Sequence, residues 1–394
     1  MSRHLPLLVA LILCNLVSAV AAANDVVLAP GTAVEVGMDQ SVLDSAVDIY
    51  RDAVERDAVR GAVLLVARNG KIVLHESLGW QDKDRGIPMP KDAMFRMASN
   101  TKPVVATAIG ILVEEKKLDW GDRVAKHLPA FDNPRSGSIE IGHLLSHTSG
   151  LRIEPIFFRP LMRKSPEHPD APNLRLEVDR FGKVGPTEPV GGSYSYSNAG
   201  YNTLGALIEV ASGKPLEVFL KQRIYDPLGM NDTYHIEVAE KLDGKLDRMC
   251  VVYYRRDGEW TVGWKPGDRP QYPFVRASGG MISTAEDYAA FCQMYLNGGV
   301  YGGKRILDEA TIGRMLSRHA ALPDASGEQE NAGSFYGFGW RIFADGVFSH
   351  SGSDGTAAWV DPNNELVVLA LTQSPGEKGL GRRFFARVRK SIGP

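Results

Sequence analysis

Phe95-Arg96-Met97-Ala98-Ser99-Asn100-Thr101-Lys102-Pro103 holds a serine and a lysine three residues apart where a helix begins. Proline is tolerated best in a first helical turn, and the apolar residues that follow keep helical spacing, which predicts a helix over Lys102 to Lys117. Residues three apart on a helix share a face, so the Lys102 amine is placed beside the Ser99 hydroxyl, near the positive end of the helix dipole. A serine hydroxyl becomes a nucleophile when a neighbouring base takes its proton. Lysine serves as that base only when neutral, which asks the site for roughly 4 kcal/mol of desolvation and cation repulsion. The plainer reading of the same letters is a helix-capping serine and a solvated lysine.

Outward from this stretch the chain reads as sheet at both ends. Asp39 to Arg60 has the periodicity of an amphipathic helix ended by Gly61, and Ala62 to Ala67 pairs with Lys71 to His75 across the hairpin signal Asn69-Gly70. Near the C-terminus, Gly346 to His350, Thr356 to Val360 and Leu366 to Thr372 form a predicted meander, and Leu380 to Ile392 a basic amphipathic helix that covers the sheet. Between them lie helical patterns at Ile139 to Leu145, Ala199 to Ser212, Leu216 to Tyr225 and Ala285 to Asn297, and a hairpin from Met249 to Trp264 turning at Asp257-Gly258. Arg152 to Gly192 is a long connection with little periodicity, of the kind that serves a binding site.

The expected fold class is therefore α+β, an antiparallel sheet flanked by helices with a mostly helical second region. Met1 to Ala23 carries Arg3, an apolar run and three closing alanines, the pattern of a cleaved signal peptide, so an exported protein, periplasmic or secreted, is expected. Residues 24–394 then form one unit, its sheet drawn from about 39–98 and 275–394 and its helical and loop region from about 99–274.

Two further stretches can join Ser99. Tyr196-Ser197-Asn198 follows the polar Gly191 to Ser195 loop and precedes a helix, so Tyr196 can relay a proton and Asn198 can hold a substrate amide or carbonyl. A second Tyr-x-Asn, Tyr295-Leu296-Asn297, reads instead as core and helix end. His350-Ser351-Gly352 closes a predicted strand, where a glycine lets substrate approach the backbone, and the Ser353 and Ser99 N–H groups can form an oxyanion hole.

With 45 Lys+Arg against 47 Asp+Glu, the chain has no field of one sign to neutralise phosphates, so no nucleic-acid partner is expected. The helix at the C-terminus is read as sheet cover rather than a membrane surface, and no stable membrane insertion is expected after signal cleavage. No HExxH, CxxC or clustered His/Cys spacing points to a metal, and no cofactor is expected. The spacing leaves open whether Cys250 and Cys292 pair.

Taken in order, Phe95 to Pro103, His143-Leu144-Leu145-Ser146-His147-Thr148-Ser149-Gly150-Leu151, Tyr196-Ser197-Asn198 with Ala199-Gly200-Tyr201, Ala277-Ser278-Gly279-Gly280-Met281 and His350-Ser351-Gly352 resemble the serine β-lactamase and penicillin-binding superfamily. The resemblance is to the branch of class C β-lactamases, D-alanyl-D-alanine carboxypeptidases, D-aminopeptidases and β-lactamase-like esterases, and spans about Val42 to Thr372. It implies a β-lactamase/transpeptidase-like fold, Ser99 as acylated nucleophile, Lys102 and Tyr196 as base pair, Asn198 as a substrate contact and His350 as the third-motif residue, beside Gly352 and Ser353 as the substrate-binding positions read above, and His143 and His147 are read as structural. Class C enzymes usually carry lysine in the third motif. His350 resembles the D-peptidases and esterases instead, which implies a small ester or D-amino-acid peptide as substrate rather than a lactam. The alternatives are a true β-lactamase and a catalytically silent member that binds cell-wall peptide or a partner protein.

Overall fold

Asp39 starts the first helix: its carboxylate accepts the backbone N–H groups of Ser41 and Val42 and so caps α1, Gln40–Glu55. In this computed structural model, which describes residues 25–152, 164–242, 244–270, 272–323 and 333–393, α1 is shorter than the expected Asp39 to Arg60 because Asp57 turns the chain with φ 56°. The expected signal peptide, Met1 to Ala23, lies outside the described residues. β1 (Gly61–Arg68) and β2 (Lys71–Asp82) follow, joined as expected by Asn69 and Gly70 at φ 50° and 74°.

The middle of the chain is mainly helical: α2 (Thr101–Glu114), α3 (Ile141–Leu145), α4 (Leu174–Val184), α5 (Asn198–Ser212) and α6 (Leu216–Leu220), which runs on in a π turn to Tyr225. The hairpin β3 (Val252–Arg256) and β4 (Glu259–Trp264) turns at Asp257-Gly258 as expected. α7 (Ala285–Leu296) leads to β5 (Ser334–Tyr336), β6 (Arg341–Phe343), β7 (Phe348–Ser351), β8 (Ala357–Asp361), β9 (Leu366–Thr372) and α8 (Leu380–Arg389).

α4 corrects the sequence reading of Arg152 to Gly192 as a long connection with little periodicity. Asn173 caps it by accepting the Leu176 N–H at 2.8 Å, and Leu174, Val178 and Phe181 bury one face. The prolines, arginines and glutamates around these residues masked a spacing of i, i+4, i+7. Residues 153–163 of that connection lie outside the described residues.

The two ends of the chain meet in one sheet. Its order is β2, β1, β9, β8, β7, β6, β5, with Ala29–Pro30 outside β2 and Ala320–Ala321 outside β5. All these pairs are antiparallel except Ala29–Pro30 on β2. The closing step joins β9 to β1, from Leu366 opposite Arg68 to Thr372 opposite Ala62. Side chains alternate between faces. Val63, Leu65, Val367 and Leu369 bury on the side of α2, α5 and α7, while Ala62, Leu64, Val66 and Val368 bury under α1 and α8. Both faces being covered explains why β1 and β9 read as continuous apolar runs. α8 covers the sheet as expected, Phe384 meeting Tyr50 edge-on at 5.6 Å and Phe385 stacking on Trp359 at 5.5 Å.

This arrangement brings the start of α2 against the end of β7. Asn100 donates to Thr356 Oγ1 at 2.9 Å, and Thr356 Oγ1 donates to the Met97 carbonyl at 3.1 Å, so the first helix of the middle region is tied to the C-terminal meander.

Candidate active site

Ser99 lies in a single 3-10 turn, Ala98–Asn100, that runs straight into α2. Ala98 just before it has φ 46°, a left-handed conformation that costs an alanine about 1–3 kcal/mol and is held by the surroundings. Ser99 does not cap α2. Its Oγ receives the Tyr196 hydroxyl at 2.8 Å and stands 3.1 Å from Lys102 Nζ. The reading as helix cap and solvated lysine is thereby overturned: Lys102 is 0% exposed.

The environment of Lys102 decides its charge. Nζ contacts the Ser278 carbonyl at 2.7 Å, Asn198 Oδ1 at 2.8 Å and Ser99 Oγ, and no carboxylate is among its partners in the described residues. Burial, with the Arg276 cation adding to it, holds the amine well below the usual lysine range. A neutral amine has two N–H groups and one lone pair. With the Ser278 carbonyl and the Asn198 amide oxygen taking those two donors, the lone pair of a neutral Lys102 is the group left for Ser99.

Tyr196 is 37% exposed and lines the cleft, with its hydroxyl on Ser99. Burial around that hydroxyl pushes the phenol up, while the bond to Ser99 pulls it down by less, so the phenol stays protonated at neutral pH. Lys102 Nζ lies 4.7 Å from the Tyr196 ring centre and 5.5 Å from that of Tyr201. Asn198 opens α5, whose cap is the Ser197 hydroxyl accepting the Gly200 N–H at 2.9 Å.

His350 is buried at the end of β7, with Nε2 3.0 Å from the Tyr336 hydroxyl and Nδ1 2.9 Å from the Ser351 N–H. Burial pushes its imidazole down to about 3, so it is neutral at any physiological pH. The Ser353 hydroxyl points at Asp354 at 3.3 Å, and Asp354 pairs with Arg96 at 3.2 Å and accepts from Tyr254 at 3.1 Å. Its backbone N–H has no partner among the described residues, as an oxyanion donor requires.

Gly352 lines the same cleft as His350 and also packs on the nucleophile's turn. A Cβ there would lie 2.5 Å from the Met97 carbonyl and 2.5 Å from Thr356 Oγ1, so the missing side chain lets β7 approach the Ser99 turn closely. Its role is to seat β7 on the nucleophile.

Three aromatic neighbours were not legible as site residues. His147, with φ 60°, stacks on Tyr196 at 4.4 Å between ring centres, and its Nδ1 accepts the Ser197 N–H at 3.0 Å. Burial holds it far below the usual histidine range, which fits the structural role expected of it. Tyr194 and Tyr336 pack on His147 at 5.6 and 4.7 Å and complete the wall. His147 stood inside a quoted motif; the tyrosines carried no signal beyond their proximity to Tyr196 and His350. A cleft of about 670 Å³ opens on Tyr194, Tyr196, Tyr336, His350 and Ser353. A second hollow of about 510 Å³ lies between α1 and β2 and touches none of these groups. Cys250 and Cys292 are separate buried thiols.

A profile described as Beta-lactamase matches residues 46–389. The chain belongs to the Beta-lactamase family. Within reach of this family member, an N-acetylmuramyl-L-alanine amidase of Bacillus subtilis is 28% identical over 350 residues, 81% of this chain and 79% of that protein. The D-amino acid amidase of Ochrobactrum anthropi, solved with L-phenylalanine amide, superposes with a TM-score of 0.69 at 25% identity, covering 89% of this chain and 98% of that one. EstCE1, a hydrolase with promiscuous acyltransferase activity, superposes with a TM-score of 0.74 at 22% identity over 90% and 98% of the two chains, a likeness of fold.

Proposed function

We propose that this Beta-lactamase-family protein is an exported serine hydrolase that forms an acyl-enzyme on Ser99 from short esters or D-amino-acid amides and peptides. The observation that carries this reading is the fully buried Lys102, without a carboxylate, beside the Ser99 hydroxyl. As the Ser99 O–H proton passes to the Lys102 lone pair, Oγ attacks the substrate carbonyl carbon, and the carbonyl oxygen takes up the electron pair. The Ser99 and Ser353 N–H groups receive that oxyanion. When it collapses, Tyr196, still protonated, gives its proton to the leaving oxygen or nitrogen and regains one from the Lys102 ammonium. Water then repeats the sequence on the ester of Ser99.

Two things favour ester and amide over lactam. His350 is neutral, so the third motif offers a hydrogen bond and no fixed cation to a substrate carboxylate. The amidases among the relatives supply the second, since their names speak of amide substrates. Export is supported by Met1 to Ala23. The test is to assay p-nitrophenyl esters, D-amino-acid amides and cephalosporins side by side. Esters or amides are expected to give the higher kcat/KM, and a cephalosporin exceeding every one of them would overturn the assignment.

A further inference from the structure

The turn that meets Lys102 is itself held from behind. Arg276 Nε binds Glu237 Oε1 at 2.8 Å, its guanidinium lies 3.7 Å from the Tyr272 ring centre, and its Nη2 reaches the Gly279 carbonyl at 3.4 Å. Both partners of the pair are buried. Ser278, between Arg276 and Gly280, presents its carbonyl to Lys102 and donates its N–H to Asn202 at 3.1 Å. Met281 N–H bonds Thr101 Oγ1 at 3.1 Å, and Met97 N–H bonds the Met281 carbonyl at 2.8 Å, so the 276–281 segment grips the Ser99 turn on both sides. Glu237 presses on this segment so closely that a Cβ at Gly280 would lie 2.4 Å from its Oε2, an oxygen without a hydrogen-bond partner among the described residues.

We propose that the buried Arg276–Glu237 pair is a positioning device for Lys102: it fixes the turn whose Ser278 carbonyl orients the amine, and it sets a permanent cation, partly balanced by one carboxylate, behind that amine. The inference rests on the reading of Lys102 as the base. The titratable groups facing Lys102 are Tyr196 and Tyr201 from the 196–201 segment, His147 after α3, His350 on β7 and Arg276. The tyrosines are pushed up and the histidines down by burial, so all four are neutral at pH 7. Arg276 is the member of this set that keeps its charge. Removing it should let Lys102 hold its proton to higher pH, and removing the Glu237 charge should have the opposite effect because the cation then acts uncompensated.

The two halves of one ion pair are thus expected to act in opposite directions. A purely structural pair would act in one. The experiment measures the rate of fluorophosphonate labelling of Ser99 against pH in wild type, Arg276→Gln, Arg276→Lys and Glu237→Gln, with thermal melting of each. Labelling should rise with pH as the amine loses its proton. This acid limb should move up by about one pH unit in Arg276→Gln, stay near wild type in Arg276→Lys, and move down in Glu237→Gln. Limbs that move the same way in Arg276→Gln and Glu237→Gln, or that stay put while melting falls, would overturn the proposal. If Arg276→Gln fails to fold, the isosteric Glu237→Gln decides by the direction of its limb. Wild type that takes no label at Ser99 at any pH removes the base reading itself, which separates the two failures.

Discussion

Tyr196-Ser197-Asn198 and Tyr295-Leu296-Asn297 share one spacing, and both tyrosines reach α2. The first places its hydroxyl on Ser99 and its asparagine on Lys102. The second sends Tyr295 to the Thr107 hydroxyl at 2.7 Å, wedged edge-on against Trp340 at 5.4 Å, and Asn297 to the carbonyls of Val26 and Val300. What separates them is surroundings: Tyr295 is 3% exposed in an apolar core, Tyr196 is open to a cleft and abuts a buried amine. A tyrosine and an asparagine become chemistry where a proton can be moved and a substrate can arrive. Elsewhere the same pair closes a helix.

The comparison breaks most severely at Lys102. Lys102→Ala should lower acylation of Ser99 by about 10² to 10⁴ for every leaving group, the usual worth of a positioned base. A loss confined to poor leaving groups would move the base role to Tyr196. Next is the pair of hydroxyl deletions. Tyr196→Phe should cut kcat/KM by about 10²-fold with melting little changed. Tyr295→Phe should leave acylation intact and cost about 1 kcal/mol for the Thr107 hydrogen bond. Equal effects of the two substitutions on kcat/KM would dissolve the distinction.

A smaller effect concerns His350. Its depressed imidazole removes the limb near pH 6.5 that a free histidine would contribute, so the wild-type pH profile should carry none, and His350→Ala should reorder substrates while Ser99 still reacts. A limb near 6.5 that vanishes in His350→Ala would make His350 the base. The smallest is a stability slope. Lys102 binds its proton less tightly folded than unfolded, so between its folded value and 10.5 the unfolded chain holds more protons and stability rises with pH. The stability of wild type relative to Lys102→Met should therefore climb between pH 7 and 10, by at most about 1.4 kcal/mol per pH unit. A flat difference in urea unfolding would mean a charged Lys102.

Local signals carried the fold at its ends. Asn69-Gly70 fixed one hairpin, and the runs in β7, β8 and β9 the meander, because two-residue periodicity and turn residues are written in neighbouring positions. The union of β1 with β9 came from long-range pairing and was legible only as a symmetry of the two termini. The short strands β5 and β6 were missed, being three residues each. Within the site, Ser99, Lys102, Tyr196 and Asn198 could be named because side chains carry their function. The Ser278 carbonyl could not, since a backbone acceptor has no letter. Gly352 was named for the approach of a substrate, and its letter could not show that the Ser99 turn packs against the same position.

The central claim is that Ser99 is acylated. Protein incubated with an activated p-nitrophenyl ester, quenched in acid and examined by mass spectrometry after digestion should show the acyl mass on the peptide containing Ser99, and Ser99→Ala should show none. Unmodified peptide in the wild type while ester is consumed, or the same adduct in Ser99→Ala, would contradict it.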